Sequence, residues 1–282
     1  MNTLEAGFAK SDITVYEPGQ PMLGWADHDN VSTGVAAPLF ARAVVIASHD
    51  TVTGAESRIA YVCVELCLAT HSLRHGVIEL LTLEHPELGL GEHNVMVTAN
   101  HTHSGPSGYS HEFIFSILTP FSQRVYEHIV SAVVAAIVQA AASRAPTVAR
   151  LVHADIPLHE PIAFNRAWRA YNSNPDVEPV TEARRDEAVD RTMTCLCFSD
   201  ARGVPQGCIN WFAVHGTSVH SDNQRLHPDN KGIAASSMEA DYRARNPDFV
   251  ALCGEVAELV ARAGPADVPA LLESPWKEGK QV

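Results

Sequence analysis

The chain has 282 residues, 46% of them hydrophobic and 19% charged, enough apolar material for a sizeable core in one large domain or two small ones. A formal net charge of -13, with no basic cluster anywhere, excludes a nucleic-acid backbone or an anionic membrane surface as the main partner. No transmembrane segment is expected, and the mixed N-terminus MNTLEAGFAKSDIT, with Glu5 and Asp12, does not read as a secretory leader, so a cytoplasmic location is expected.

In chain order, Val/Ile-rich runs predict strands at 40–47 (FARAVVIA), 58–66 (RIAYVCVEL) and 94–99 (NVMVTA). Several are nearly continuous, as in strands covered on both faces. Helical periodicity is weaker at 72–83 and strong at 122–143, where Val125, Ile129, Val133, Ile137 and Ala141 recur every four residues. Further strands are predicted at 148–153, 192–198 and 207–214, and further helices at 231–245 and 254–263. Turn-rich loops occupy 16–37 and 216–230, and a long polar loop runs from Pro161 to Thr181; loops of that length are more often functional than idle. Strand and helix signals alternate over the first 145 residues, which predicts an α/β fold with a layered mixed β-sheet core flanked by helices. The six cysteines (Cys63, Cys67, Cys195, Cys197, Cys208 and Cys253) form no C-x-x-C pair, so they are read as small buried hydrophobes in a reducing compartment.

Two segments carry candidate chemistry. "VMVTANHTHSGPSG" ends an apolar run in His101 and His103, which an extended backbone would point to one side. "CINWFAVHGTS" ends another in His215, followed by glycine and hydroxyl residues. Imidazole is the commonest ligand for metals such as zinc, and strand ends are where open α/β sheets bind ligands. The alternative at each position is a surface or capping histidine. In "FNRAWRAYNSNP", Arg166 and Arg169 either stack on the neighbouring aromatics or reach into a pocket to bind a carbonyl or oxyanion. In "HPDNKG", Asp229 or Asn230 is expected to cap a helix. A metallo-β-lactamase site would want an Asp-His pair soon after the H-x-H, which is lacking here. An amidohydrolase would carry H-x-H on its first strand, not after two others.

Taken together, "AGFAKSDIT", "MLGWADHDNVSTGVAAPLFARAVVI", "NVMVTANHTHSGPSGYS", "NRAWRAYNSNP", "VDRTMTCLCF", "GCINWFAVHGTSV" and "DNKGIAAS" resemble the catalytic domain of the neutral/alkaline non-lysosomal ceramidases, in family order from about residue 5 to about residue 252. The resemblance implies zinc as cofactor, with His101 and His215 as ligands. It places His103 beside the metal as a polar or substrate-facing group and Arg166 against substrate near the scissile amide. It implies hydrolysis of the N-acyl bond of a ceramide-like lipid to a sphingoid base and a fatty acid. It also implies a division into a ceramidase-like N-terminal catalytic portion, 1–252, and a divergent helical or polar tail, 253–282. The family's other zinc ligands, a glutamate and a tyrosine, come from beyond the matched stretches, and its serine motif has no counterpart after residue 252. The competing expectation is therefore a ceramidase-like domain with an incomplete site, acting as a binding module or inactive, with self-association through surface that the rest of the domain would cover.

Overall fold

The computed structural model describes residues 3–116 and 119–244. These fall into two compact units, one formed by residues 3–148 with 215–244 and the other by residues 149–214. The first unit runs β1 (Thr3–Asp12), β2 (Met22–Leu23), β3 (Gly34–Val35), β4 (Phe40–His49), β5 (Glu56–Val64), α1 (His71–Glu84), β6 (Val95–Ala99), β7 (Gly105–Pro106), α2 (Phe113–Ser116), α3 (Gln123–Ala142) and β8 (Ala145–Pro146). The second holds β9 (Val148–Asp155), α4 (Trp168–Tyr171), β10 (Thr192–Ser199) and β11 (Pro205–Trp211), after which β12 (Arg225–Leu226) and α5 (Asp229–Ala244) return to the first.

The main sheet has the order β6-β5-β4-β1-β8. Strands β1, β4 and β5 are antiparallel neighbours, whereas β5 and β6 are parallel and joined through α1, the connection that parallel pairing requires. In register, Ala43 lies opposite Val62 and Val45 opposite Ala60, giving a face of small and branched residues that is fully buried. Helix α3 covers it, presenting Val125, Ile129, Val133 and Ile137 at the spacing the sequence predicts. Helices α1 and α3 start on side-chain caps: Thr70 Oγ1 accepts from Leu73 N at 3.2 Å, and Ser122 Oγ from Val125 N at 3.4 Å.

The opposite face departs from the expectation of full coverage. At one end Arg42 pairs with the buried Glu65 and with Glu239 of α5, which also takes Lys10. At the other, Ile59 and Met96 are 51% and 58% exposed. One helix bears on the expectation that no segment crosses a membrane. Helix α3 has the length and apolarity to do so, but half of it is buried in this unit, and its apolar face is the core.

Strand β1 was not predicted, because Ala6 and Gly7 lack the bulk that marks a strand. Their smallness serves the packing, since a Cβ at Gly7 would lie 2.0 Å from the Ala140 carbonyl oxygen of α3. In the second unit the sheet order is β11-β10-β9, with β10 and β11 an antiparallel hairpin. The predicted helix at 254–263, the tail 253–282 and Cys253 lie outside the described residues.

Candidate metal centre

Strand β6 delivers the site. Its parallel pairing with β5 continues past both strand ends, with Asn100 N donating to Val64 O and His101 N to Leu66 O, each at 3.0 Å. His101 then takes a left-handed backbone, φ 66°, so strand alternation is not what brings the two histidines together. A tight turn does so. Thr102 bridges to Gly216 and His103 N donates to the Gly216 carbonyl at 3.2 Å, which sets the His215 segment alongside.

Three imidazoles meet there. Nε2 of His103 lies 3.2 Å from Nε2 of His101 and 3.0 Å from Nε2 of His215. The ring centroids of the three pairs are separated by 4.7–4.8 Å. His101 Nδ1 is 2.6 Å from the Cys67 carbonyl oxygen, so that nitrogen carries the proton and Nε2 keeps its lone pair. His103 is buried, at 6% exposure, while His215 lies open.

Close contacts explain two of the flanking glycines. A Cβ at Gly24, whose φ is 135°, would fall 2.5 Å from the His103 ring, and one at Gly216 would fall 2.2 Å from the His101 carbonyl oxygen. Trp25 stands edge-on to the His103 ring at 4.9 Å.

The residues that hold this arrangement are two with no signal of their own in the sequence, Asn100 and Thr102, and two expected there only as helix caps, Asp229 and Asn230. Thr102 Oγ1 donates to the His227 carbonyl at 2.7 Å, and Asn100 Nδ2 to the Pro228 carbonyl at 2.8 Å. Asn230 Nδ2 donates to the His215 carbonyl at 2.8 Å. Asp229, 1% exposed, accepts from Ser218 N and Val219 N at 3.0 and 3.1 Å, so this expected cap fastens the loop that follows His215. The polar clustering of "HPDNKG" was the available signal.

Cys67 is the other neighbour, with Sγ 3.7 Å from His101 Nδ1. The ligand atoms of Cys67, His101 and His103 all lie within 4.8 Å of one another. Burial pushes the Cys67 thiol up to about 12, so it is protonated without a metal ion, and coordination would displace that proton. The imidazole donors do fit a metal ion: bonds of ~2.0–2.1 Å in tetrahedral geometry separate ligand atoms by ~3.3–3.4 Å, close to the spacing seen.

Arg166 belongs to the other unit, as an exposed residue in the loop before α4. Stacking is realised at Arg169, 4.4 Å over Trp168, and at Arg185, 4.1 Å over Phe164.

The comparisons with known proteins decide the family. The sequence family described as "Neutral/alkaline non-lysosomal ceramidase, N-terminal" matches residues 4–258. This chain belongs to that family. It is 32% identical over 246 residues to the neutral ceramidase of Pseudomonas aeruginosa, covering 87% of this chain and 35% of that protein. Neutral ceramidase 2 of Arabidopsis thaliana is 32% identical over 83% of this chain and 29% of its own length. The Mycobacterium tuberculosis neutral ceramidase is 30% identical over 96% and 41%. A solved structure titled "Ceramidase complexed with C2" superposes with a TM-score of 0.76 at 30% identity, over 86% of this chain and 36% of that one. The chain thus spans about a third of the length of these relatives, and its layered α/β fold is theirs.

Proposed function

We propose that the chain contributes to a zinc amidase centre that hydrolyses the N-acyl bond of ceramide-like lipids. The observation that carries this reading is the convergence of His101, His103 and His215 Nε2 in a member of the ceramidase family. His101 and His215 would hold the metal through Nε2, as the family resemblance implies. Bound zinc supplies a Lewis acid for the amide carbonyl and lowers the pKa of water.

The protein's own groups do the positioning. The Cys67 carbonyl fixes the His101 tautomer. Asn230 and Asp229 hold the backbone on either side of Gly216. His103 Nε2 faces the same point, where it can accept or return a proton, and its spacing equally admits it as a third ligand. Arg166, permanently cationic, is assigned to developing negative charge on the substrate by resemblance alone.

A second reading, a domain whose site is completed by other residues, draws on the chain covering 35% of the Pseudomonas relative. Metal analysis of the purified chain after zinc loading and desalting tests the ligand assignment. One equivalent retained by the wild type and lost in both His101→Ala and His215→Ala is expected. Full retention in either variant would overturn it.

A further inference from the structure

The β10–β11 hairpin of the second unit sorts its donors by chemistry. Successive strand residues point to opposite faces, so Met193, Cys195 and Cys197 share one side of β10. Cys208 of β11 lies directly opposite Cys197 and joins them. The other side of β10 carries hard donors, already engaged: Thr192 Oγ1 donates to Asp155 at 2.8 Å, and Thr194 Oγ1 lies 3.0 Å from His153 Nδ1. One face therefore presents sulfur, and oxygen and imidazole donors face away from it.

The three thiols form a connected group. Cys195 Sγ is 3.4 Å from Cys197 Sγ, a contact and not a bond, and all three cysteines are free. Cys208, on the neighbouring strand and the same side, lies within interaction range of Cys195. Hydrogen bonding within the group raises the Cys195 pKa and favours the thiolate at its neighbours, drawing Cys197 down to about 7 and lowering Cys208. Cys195 and Cys197 are half-buried and Cys208 is exposed as a residue. Buried cysteines serving as small hydrophobes, the ordinary reading, would have no reason to gather in contact at an exposed position.

We propose that this sulfur face binds a soft monovalent cation of the copper(I) class through Cys195, Cys197 and Cys208. Thiolate and thioether donors select such ions, and three sulfurs suit a low coordination number better than the four-ligand shell that zinc requires. Binding displaces thiol protons to solvent, and the monovalent cation offsets one unit of the negative charge left on the sulfurs.

The test is an anaerobic titration of the whole purified chain with copper(I) against a chromogenic copper(I) chelator, followed by alkylation and peptide mass mapping. One equivalent held against the chelator, with Cys195, Cys197 and Cys208 protected from alkylation, is expected. Cys208→Ser should weaken binding by ~100-fold or more, since even the loss of an outer-shell partner costs 10–100-fold. His101→Ala should leave it unchanged, which separates this site from the imidazole cluster. The protection map on the wild type stands even if a variant fails to fold. Protection of Cys67 in place of these three, no retained copper, or undiminished affinity in a folded Cys208→Ser variant would each overturn the proposal.

Discussion

His101 holds a left-handed backbone at φ 66°, which costs a residue with a Cβ about 1–2 kcal/mol. Such strain persists where the surroundings over-determine it, and it clusters at functional sites. Here the N–H to Leu66, the ring contact with the Cys67 carbonyl and the Thr102 bridge to Gly216 all act on the same turn. Replacing His101 by glycine should relieve the strain while removing the ligand. His101→Gly is therefore expected to be more stable than His101→Ala by about 1 kcal/mol in urea denaturation, with neither variant retaining zinc. Equal stabilities would mean that the turn relaxes without the imidazole. Gly216 presents the converse case. Its Cβ would meet backbone, 2.2 Å from the His101 carbonyl oxygen, and backbone cannot swing aside as a side chain can. Gly216→Ala should cost about 1–3 kcal/mol and lower zinc retention together with stability, and a folded variant with full retention would contradict that.

Among the elements, those built by bulk and periodicity were legible and those built by smallness were not. The Val/Ile runs gave β4, β5 and β6, and the four-residue recurrence gave α3 nearly to its ends. Strand β1 escaped because Ala6 and Gly7 are shaped by contact with α3, which no local pattern records. The site was legible in part for the same reason. His101, His103 and His215 could be singled out as strand-end histidines, but the left-handed turn that joins them, and Gly24 that makes room for His103, depend on contacts distant in sequence. Glu112 is a further example. Burial favours its neutral form, but hydrogen bonds from Ser110, from Ser72 N and from Ser72 Oγ outweigh burial and hold its carboxyl down to about 2. That carboxylate ties the segment ahead of α2 to the first turn of α1. The folded pKa lies below the usual ~4.3, so its contribution is complete above that value and is lost as pH falls from there through about 2. Glu112→Gln should cost roughly 1–2 kcal/mol at neutral pH and flatten the stability profile between those limits. A variant with the wild-type acid limb would show that the carboxylate contributes nothing.

For the molecule as a whole, the question is how much chemistry a chain spanning about a third of its ceramidase relatives' length can perform. Three imidazoles converge in the first unit, and among the described residues the possible metal ligands grouped there are Cys67, His101 and His103, with His215 alongside. That supplies nitrogen donors and one protonated thiol, without a carboxylate. A catalytic zinc uses three protein ligands and an open position, so among the described residues the third ligand would be His103 or Cys67. If His103 instead keeps its lone pair for proton transfer, only two of the three imidazoles would hold the metal, and small misplacements at such centres cost about 10²-fold in rate. The exposed Ile59 and Met96 on the sheet face point the same way, since apolar groups side by side on an open sheet favour association with a covering partner. We therefore expect the isolated chain, loaded with zinc, to hydrolyse a fluorescent short-chain ceramide at least ~10²-fold more slowly than a full-length relative assayed beside it. The same preparation should self-associate in sedimentation velocity, and Met96→Lys should reduce that association. Turnover within tenfold of the relative, abolished equally by His101→Ala and His103→Ala, would reverse the conclusion and make His103 the third ligand of a site complete within this chain.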